Sequence, residues 1–182
     1  MDIDGNDFDF FALRGKVCLI VNVASDSCSS DSNYTKLVEM YRNYRHQGLE
    51  ILAFPTNQCG NESRSEHEIK GHVQTRYGVE FPLFSKIEVN GDDTHPIYRW
   101  LKDCLPGNIM RDFGSKFTLN YQRIPMERLE TWDWDVVSSR LSIYLTELNS
   151  YAYLFTDDDG ATGTEADDLF GETVRNAGPA AD

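Results

Sequence analysis

A chain of 182 residues holds one domain of ordinary size and an appendage. Its 30 acidic and 17 basic side chains give a formal net charge of −13. That sign argues against nucleic acid and against an anionic membrane surface as partners, since both need a basic face. No run approaches the roughly 18 apolar residues of a membrane span, and no signal or transit segment opens the chain. Cys18, Cys28, Cys59 and Cys104 are too few and too scattered to frame a disulfide scaffold. They also lack the CxxC spacing of a zinc site. The expectation is a reduced, intracellular protein without a metal or cofactor.

The first strong signal is VCLIVNV at Val17–Val23, a β-branched run suited to a strand buried on both faces. A polar loop follows at 25–32. Tyr34, Leu37, Val38, Tyr41 and Tyr44 then recur at helical spacing, with Gly48 as the stop. Residues 49–54 read as a second buried strand, adjacent and parallel to the first, closed by Pro55. Both runs are expected inside the sheet. Ser65 and Glu68 form a capping box ahead of Ile69, Val73 and Tyr77, with Gly78 ending that helix.

Residues 81–89 offer a third extended segment. Pro96 suits the first turn of a helix carrying Ile97, Trp100 and Leu101, ended by Pro106-Gly107. Residues 116–119 read as a strand. The turn after it, Asn120-Tyr121-Gln122-Arg123, lacks the glycine of a tight hairpin, and Pro125 disfavours the middle of a sheet. Val137, Leu141, Tyr144, Leu145 and Leu148 make a last amphipathic helix. The sum is an α/β sandwich, a mixed sheet with helices on both faces, over residues 1–155. Residues 156–182 read as an acidic tail that is solvated or docked on a partner. From 157 onward it carries eight acidic side chains and one basic one, Arg175, with Leu169-Phe170 as its large apolar pair.

Several segments carry a resemblance in fixed order: VNVAS at 21–25, NYTKL at 33–37, QGLEILAFPTNQ at 47–58, FPLFSKIEVNGDD at 81–93 and HPIYRWLK at 95–102. Over residues 2 to about 117 the chain resembles the glutathione peroxidase family. The resemblance implies a thioredoxin-like fold and reduction of hydroperoxides. In that family a cysteine or selenocysteine attacks the O–O bond, and a thiol then reduces the product. A Gln and a Trp-Asn pair donate hydrogen bonds to the reacting group.

Carried over residue by residue, the resemblance places Ser27 at the nucleophile position and Cys28 where the family has Gly. Residues 26–32 match without a gap. Gln58 keeps the family's glutamine. Arg111 and Asp112 stand for the Trp and Asn of its WNF segment. Gln74 stands where some members carry a resolving cysteine. A serine hydroxyl is almost never ionised at neutral pH without a dedicated base, and oxygen has no counterpart to the sulfenic acid. An ionised Asp112 cannot donate a hydrogen bond, and it raises the pKa of a nearby thiol unless Arg111 offsets it.

Cys28 shares the loop with Ser27 and precedes a helix N-terminus, a setting that lowers a thiol pKa. Cys59 follows Gln58 on a facing loop, so a Cys28–Cys59 disulfide is conceivable. Cys18 and Cys104 read as core residues. The four histidines show no ligand spacing, and Asp157-Asp158-Asp159-Gly160 lacks the spaced ligands of a calcium loop. No long insertion lies between Cys104 and Asn108, so the tetramer of some family members is not expected. Two functions follow. One is a pseudoenzyme, kept as a binding module or as a subunit of a larger protein assembly. Its available surface would be the tail and the aromatics Trp132, Trp134, Tyr144, Tyr151, Tyr153 and Phe155, unless these pack the last helix on the sheet. The other is a thiol peroxidase or redox sensor using Cys28, alone or with Cys59, and reduced by glutathione or thioredoxin.

Overall fold

The computed structural model describes residues 1–155, with side chains described through Tyr151. The acidic segment 156–182 and the side chains of Tyr153 and Phe155 lie outside the described residues. Strands β1 (Val17–Val23) and β2 (Leu49–Pro55) pair in parallel, Val17 opposite Leu49 and Val23 opposite Pro55. Strand β3 (Ser115–Leu119) lies antiparallel on the other side of β1, and β4 (Pro125–Glu130) antiparallel to β3. The order β2-β1-β3-β4 makes a mixed sheet, as the sequence led us to expect. Strand β1 is interior. Strand β2, expected inside, ends the ladder.

Alternation along β1 divides the core. Val17, Leu19, Val21 and Val23 face helices α1 (Ser30–Tyr44), α2 (Glu66–Tyr77) and α4 (Trp134–Phe155) through Leu37, Val73, Val137 and Leu141. Cys18 and Ile20 face the opposite layer, where Tyr98 and Leu101 of α3 (Pro96–Cys104) pack with Phe54, Phe84 and Phe117. Each strand residue thus buries against one helical layer or the other, which is why the runs are apolar throughout. The capping box of α2 forms as expected, and Gly78 ends the helix at φ 71°. Pro96 opens α3, with His95 as the cap.

Two further expectations change. Residues 81–89 are not a ladder strand. They touch β2 through one parallel bridge, Ala53 to Leu83, with Phe84 N on Ala53 O and Ile87 N on Pro55 O, both at 3.0 Å, while Lys86 N turns away to Glu66 Oε1 at 2.8 Å. Pro82 has no N–H to extend the ladder. Its carbonyl accepts from Ala53 N at 3.1 Å, so the segment still covers the outer edge of β2. Cys104 is exposed rather than core, because α3 turns its last residues outward; Cys18 is buried as expected.

The aromatics before and along α4 are only partly surface. Tyr144 is 7% exposed and packs in the core, while Trp134 is half-buried and donates from Nε1 to Asn33 Oδ1 at 3.1 Å. Trp132 and Tyr151 remain exposed, Tyr151 stacking on Tyr121.

The glycine-free hairpin has its own solution. Arg123 takes the left-handed conformation at φ 66°. Asn120 Oδ1 accepts from Gln122 N and Ile124 N, both at 3.0 Å, so a side chain supplies the acceptor that the turn needs. Pro125 is the first residue of β4, an edge strand, where its missing N–H disrupts least.

Candidate functional site

The loops at the carboxyl ends of β1 and β2 are tied together. Buried Glu62 accepts from Ser25 N at 2.6 Å and Ser25 Oγ at 2.8 Å. Asp26 N donates to Asn61 O at 3.0 Å, and Arg64 bridges Ser25 Oγ at 2.8 Å and the Asp26 carboxylate. A third strand-end segment is placed by Asn22 of β1. Its Nδ2 donates to Arg111 O at 3.1 Å, and its carbonyl accepts from Phe113 N at 2.9 Å, with Phe113 at φ 57°.

These segments enclose an open cleft of about 490 Å³. All five residues expected at the site line it: Ser27, Cys28, Gln58, Arg111 and Asp112. Ser27 is half-buried, and its Oγ lies 3.0 Å from Ser29 Oγ and accepts from Ser29 N at 3.3 Å. Cys28 is an exposed free thiol. Gln58 borders the cleft with its amide engaged elsewhere. Its Oε1 accepts from Val89 N and Asn90 N, both at 2.8 Å, and its Nε2 donates to Asn90 O at 2.9 Å. The glutamine thus pins the 89–90 segment. Arg111 is exposed on the rim. Gln74, on α2, does not line the cleft.

Asp112 is 3% exposed, and burial lifts its carboxyl above the ordinary carboxylate range. Asn61 Nδ2 donates to its Oδ2 at 2.7 Å and to Cys59 O at 3.2 Å, so one amide fixes the carboxylate to the Cys59 backbone. Burial, then the Asp112 charge, pushes the Cys59 thiol up to about 11. Cys59 is half-buried and free, so the conceivable Cys28–Cys59 disulfide is open, with both thiols on one cleft. No group of three or more His, Cys, Asp or Glu able to hold a metal occurs among the described residues.

Sequence reasoning missed Asn61 and Trp132 as cleft residues. Asn61 carries no local signal beyond its place on the Gln58 loop. For Trp132 the sequence offers only interaction surface or packing of the last helix. It arrives from beyond β4 and, with Ile109 and Met110, forms the apolar side of the cleft.

Comparison with known proteins agrees with this architecture. The family model described as glutathione peroxidase matches residues 1–102. A relative from Nicotiana sylvestris named "Probable phospholipid hydroperoxide glutathione peroxidase" is 44% identical over 128 residues, covering 70% of this chain and 73% of the relative. The crystal structure of Trgpx in apo form is 28% identical with a TM-score of 0.64, over 80% of this chain and 90% of that one. A thiol:disulfide interchange protein of the thioredoxin family from Chlorobium tepidum is 13% identical with a TM-score of 0.61, over 80% of this chain and 90% of that one, a likeness of fold alone. The fold is therefore thioredoxin-like. No helix among the described residues is long and apolar enough to cross a membrane.

Proposed function

The chain belongs to the glutathione peroxidase family, and on that premise we propose that it keeps the scaffold and the cleft of a hydroperoxide reductase without the chemistry. It serves as a binding module or as a subunit of a larger assembly. The observation that carries this reading is the pairing of Ser27 at the nucleophile position with the buried Asp112 carboxylate across one cleft. A hydroxyl held by Ser29 is a poor nucleophile toward O–O, and it forms no sulfenic acid. An ionised carboxylate at position 112 accepts hydrogen bonds where the family site donates them. The engagement of Gln58 with the 89–90 backbone supports the same reading.

Purified protein supplied with hydrogen peroxide or a lipid hydroperoxide, and with thioredoxin or glutathione as reductant, is expected to consume no peroxide above the uncatalysed rate. One specific observation favours a second reading. Cys28 is an exposed thiol on the same cleft, one residue from Ser27. Rapid turnover abolished by Cys28→Ser would replace the binding module with a peroxidase whose nucleophile is displaced. The geometric cost of such a displacement is large, since misplacement by about 1 Å can cost roughly a hundredfold in rate.

A further inference from the structure

We propose that Cys28 and Cys59 are a dithiol pair that reduces an accessible disulfide, Cys28 attacking first and Cys59 closing the internal disulfide, with Asp112 setting that order. This is an activity separate from hydroperoxide reduction, and it holds whether or not the cleft turns over peroxide.

Three observations carry it. The two thiols are free and line the same cleft, and no other cysteine does so. The loops that bear them are stitched by Asp26 N to Asn61 O, by Ser25 on Glu62 and by Arg64 on Asp26, so both are held to one end of the sheet. A disulfide requires Cα atoms within about 7 Å, and loops anchored to each other two residues from each cysteine suit that closure. Finally, the pair is asymmetric. Cys28 is open to solvent ahead of α1. Cys59 is half-buried beside a carboxylate that Asn61 binds to its own backbone. Burial, and with it the negative charge there, keeps the Cys59 thiol protonated, so an incoming disulfide meets one competent nucleophile.

The chemistry balances without an added oxidant. The Cys28 thiolate attacks one sulfur of R–S–S–R, forming Cys28–S–S–R and releasing the first thiolate. Cys59 loses its proton to solvent and attacks Cys28 Sγ. The Cys28–Cys59 bond forms, the Cys28–SR bond breaks, and the second thiolate leaves. The substrate gains two electrons and the protein's two thiols lose them. The apolar side of the cleft, Ile109, Met110 and Trp132, is the surface on which the substrate's flanking groups would rest.

The test uses the full chain carrying Cys104→Ser, which removes the other exposed thiol, with cystamine as the disulfide probe. Mass spectrometry and peptide mapping follow the products. The expected course is a short-lived cystamine adduct on Cys28 that converts to a Cys28–Cys59 disulfide with two thiols released per chain. Adding Cys59→Ser should trap the adduct on Cys28, extending its lifetime at least tenfold, whereas Cys28→Ser should leave Cys59 unmodified over the same period. Asp112→Asn should quicken closure and let Cys59 take adducts directly. An adduct on Cys28 that persists equally with and without Cys59 overturns the pair, as does initial attack by Cys59 in the Cys28→Ser protein. Because no hydroperoxide is present, peroxidase assays decide the preceding reading separately.

Discussion

At the scale of single residues, the proposal that the cleft's polarity has been rewritten can be tested by substitution. On that proposal Ser27→Cys puts a thiol at the family's nucleophile position, yet the single change is expected to leave hydroperoxide turnover far below family rates. Preorganised donors of this kind are worth roughly 3–4 kcal/mol of barrier each in other enzymes, and on the same proposal Arg111 and Asp112 stand in place of both. The combined change Ser27→Cys, Arg111→Trp, Asp112→Asn should recover much more, measured as peroxide consumed under thioredoxin or glutathione recycling. Thiol reactivity offers a second reading of the same residues. With iodoacetamide at pH 8, Cys28 should be alkylated well before Cys59, whose thiol at about 11 is overwhelmingly protonated there. Burial does most to hold the Cys59 thiol up and the Asp112 charge adds to it, so with Asp112→Asn its alkylation should quicken and its apparent pKa fall. Equal rates for the two thiols, or no response to Asp112→Asn, would contradict this electrostatic picture.

At the scale of elements, strand β3 carries a buried cation with measurable consequences. Lys116 is fully buried, its Nζ donating to Phe113 O at 2.5 Å and Thr131 O at 2.8 Å, with the Trp134 ring 4.6 Å away. Burial depresses its pKa to about 8. Between pH 8 and about 10.4 the unfolded lysine therefore binds more protons than the folded one, and this residue's contribution to stability rises with pH across that window. Relative to Lys116→Met, the natural protein should gain roughly 2–3 kcal/mol over that interval in denaturant titrations; a constant difference would show that the ammonium is not desolvated. In the next hairpin, Asn120→Ala removes the acceptor of two turn amides and should cost about 1–2 kcal/mol. These elements also mark how far the sequence could be read. Val17–Val23, the Ser65–Glu68 cap and the Pro96 helix start were legible because their signals are local and complete. Strand β4 was not, since its pattern of Pro125, Glu127, Arg128 and Glu130 is that of a solvated edge, and the turn before it depends on a side chain rather than a glycine. The five cleft residues were legible through the family resemblance. Gln58's engagement with residues 89–90 and the arrival of Trp132 were not, because each depends on a contact that only the folded chain brings about.

At the scale of the whole molecule, charge should select which disulfides reach Cys28. The chain carries a net −13, and residues 157–182 account for −7 of it. Screening extends only about 3 Å at 1 M salt but about 30 Å at 0.01 M, so at low ionic strength an approaching reagent senses most of the chain, and at high ionic strength only the groups at the cleft. The total field favours cations. Among the described residues that line the cleft, the exposed charged side chain is Arg111, which favours anions. In the Cys59→Ser protein, the rate of adduct formation at Cys28 should therefore be several-fold higher for cationic cystamine than for the anionic dithiodipropionate at 0.01 M salt. The ratio should collapse toward unity, or invert, at 1 M. Ending the chain at Phe155 leaves a net charge of −6, which should reduce the low-salt preference for the cation. Arg111→Ala should do the reverse, shifting the high-salt ratio toward the cation. Rates that ignore both salt and truncation would mean that access to Cys28 is governed by the shape of the cleft and not by the charge of the chain.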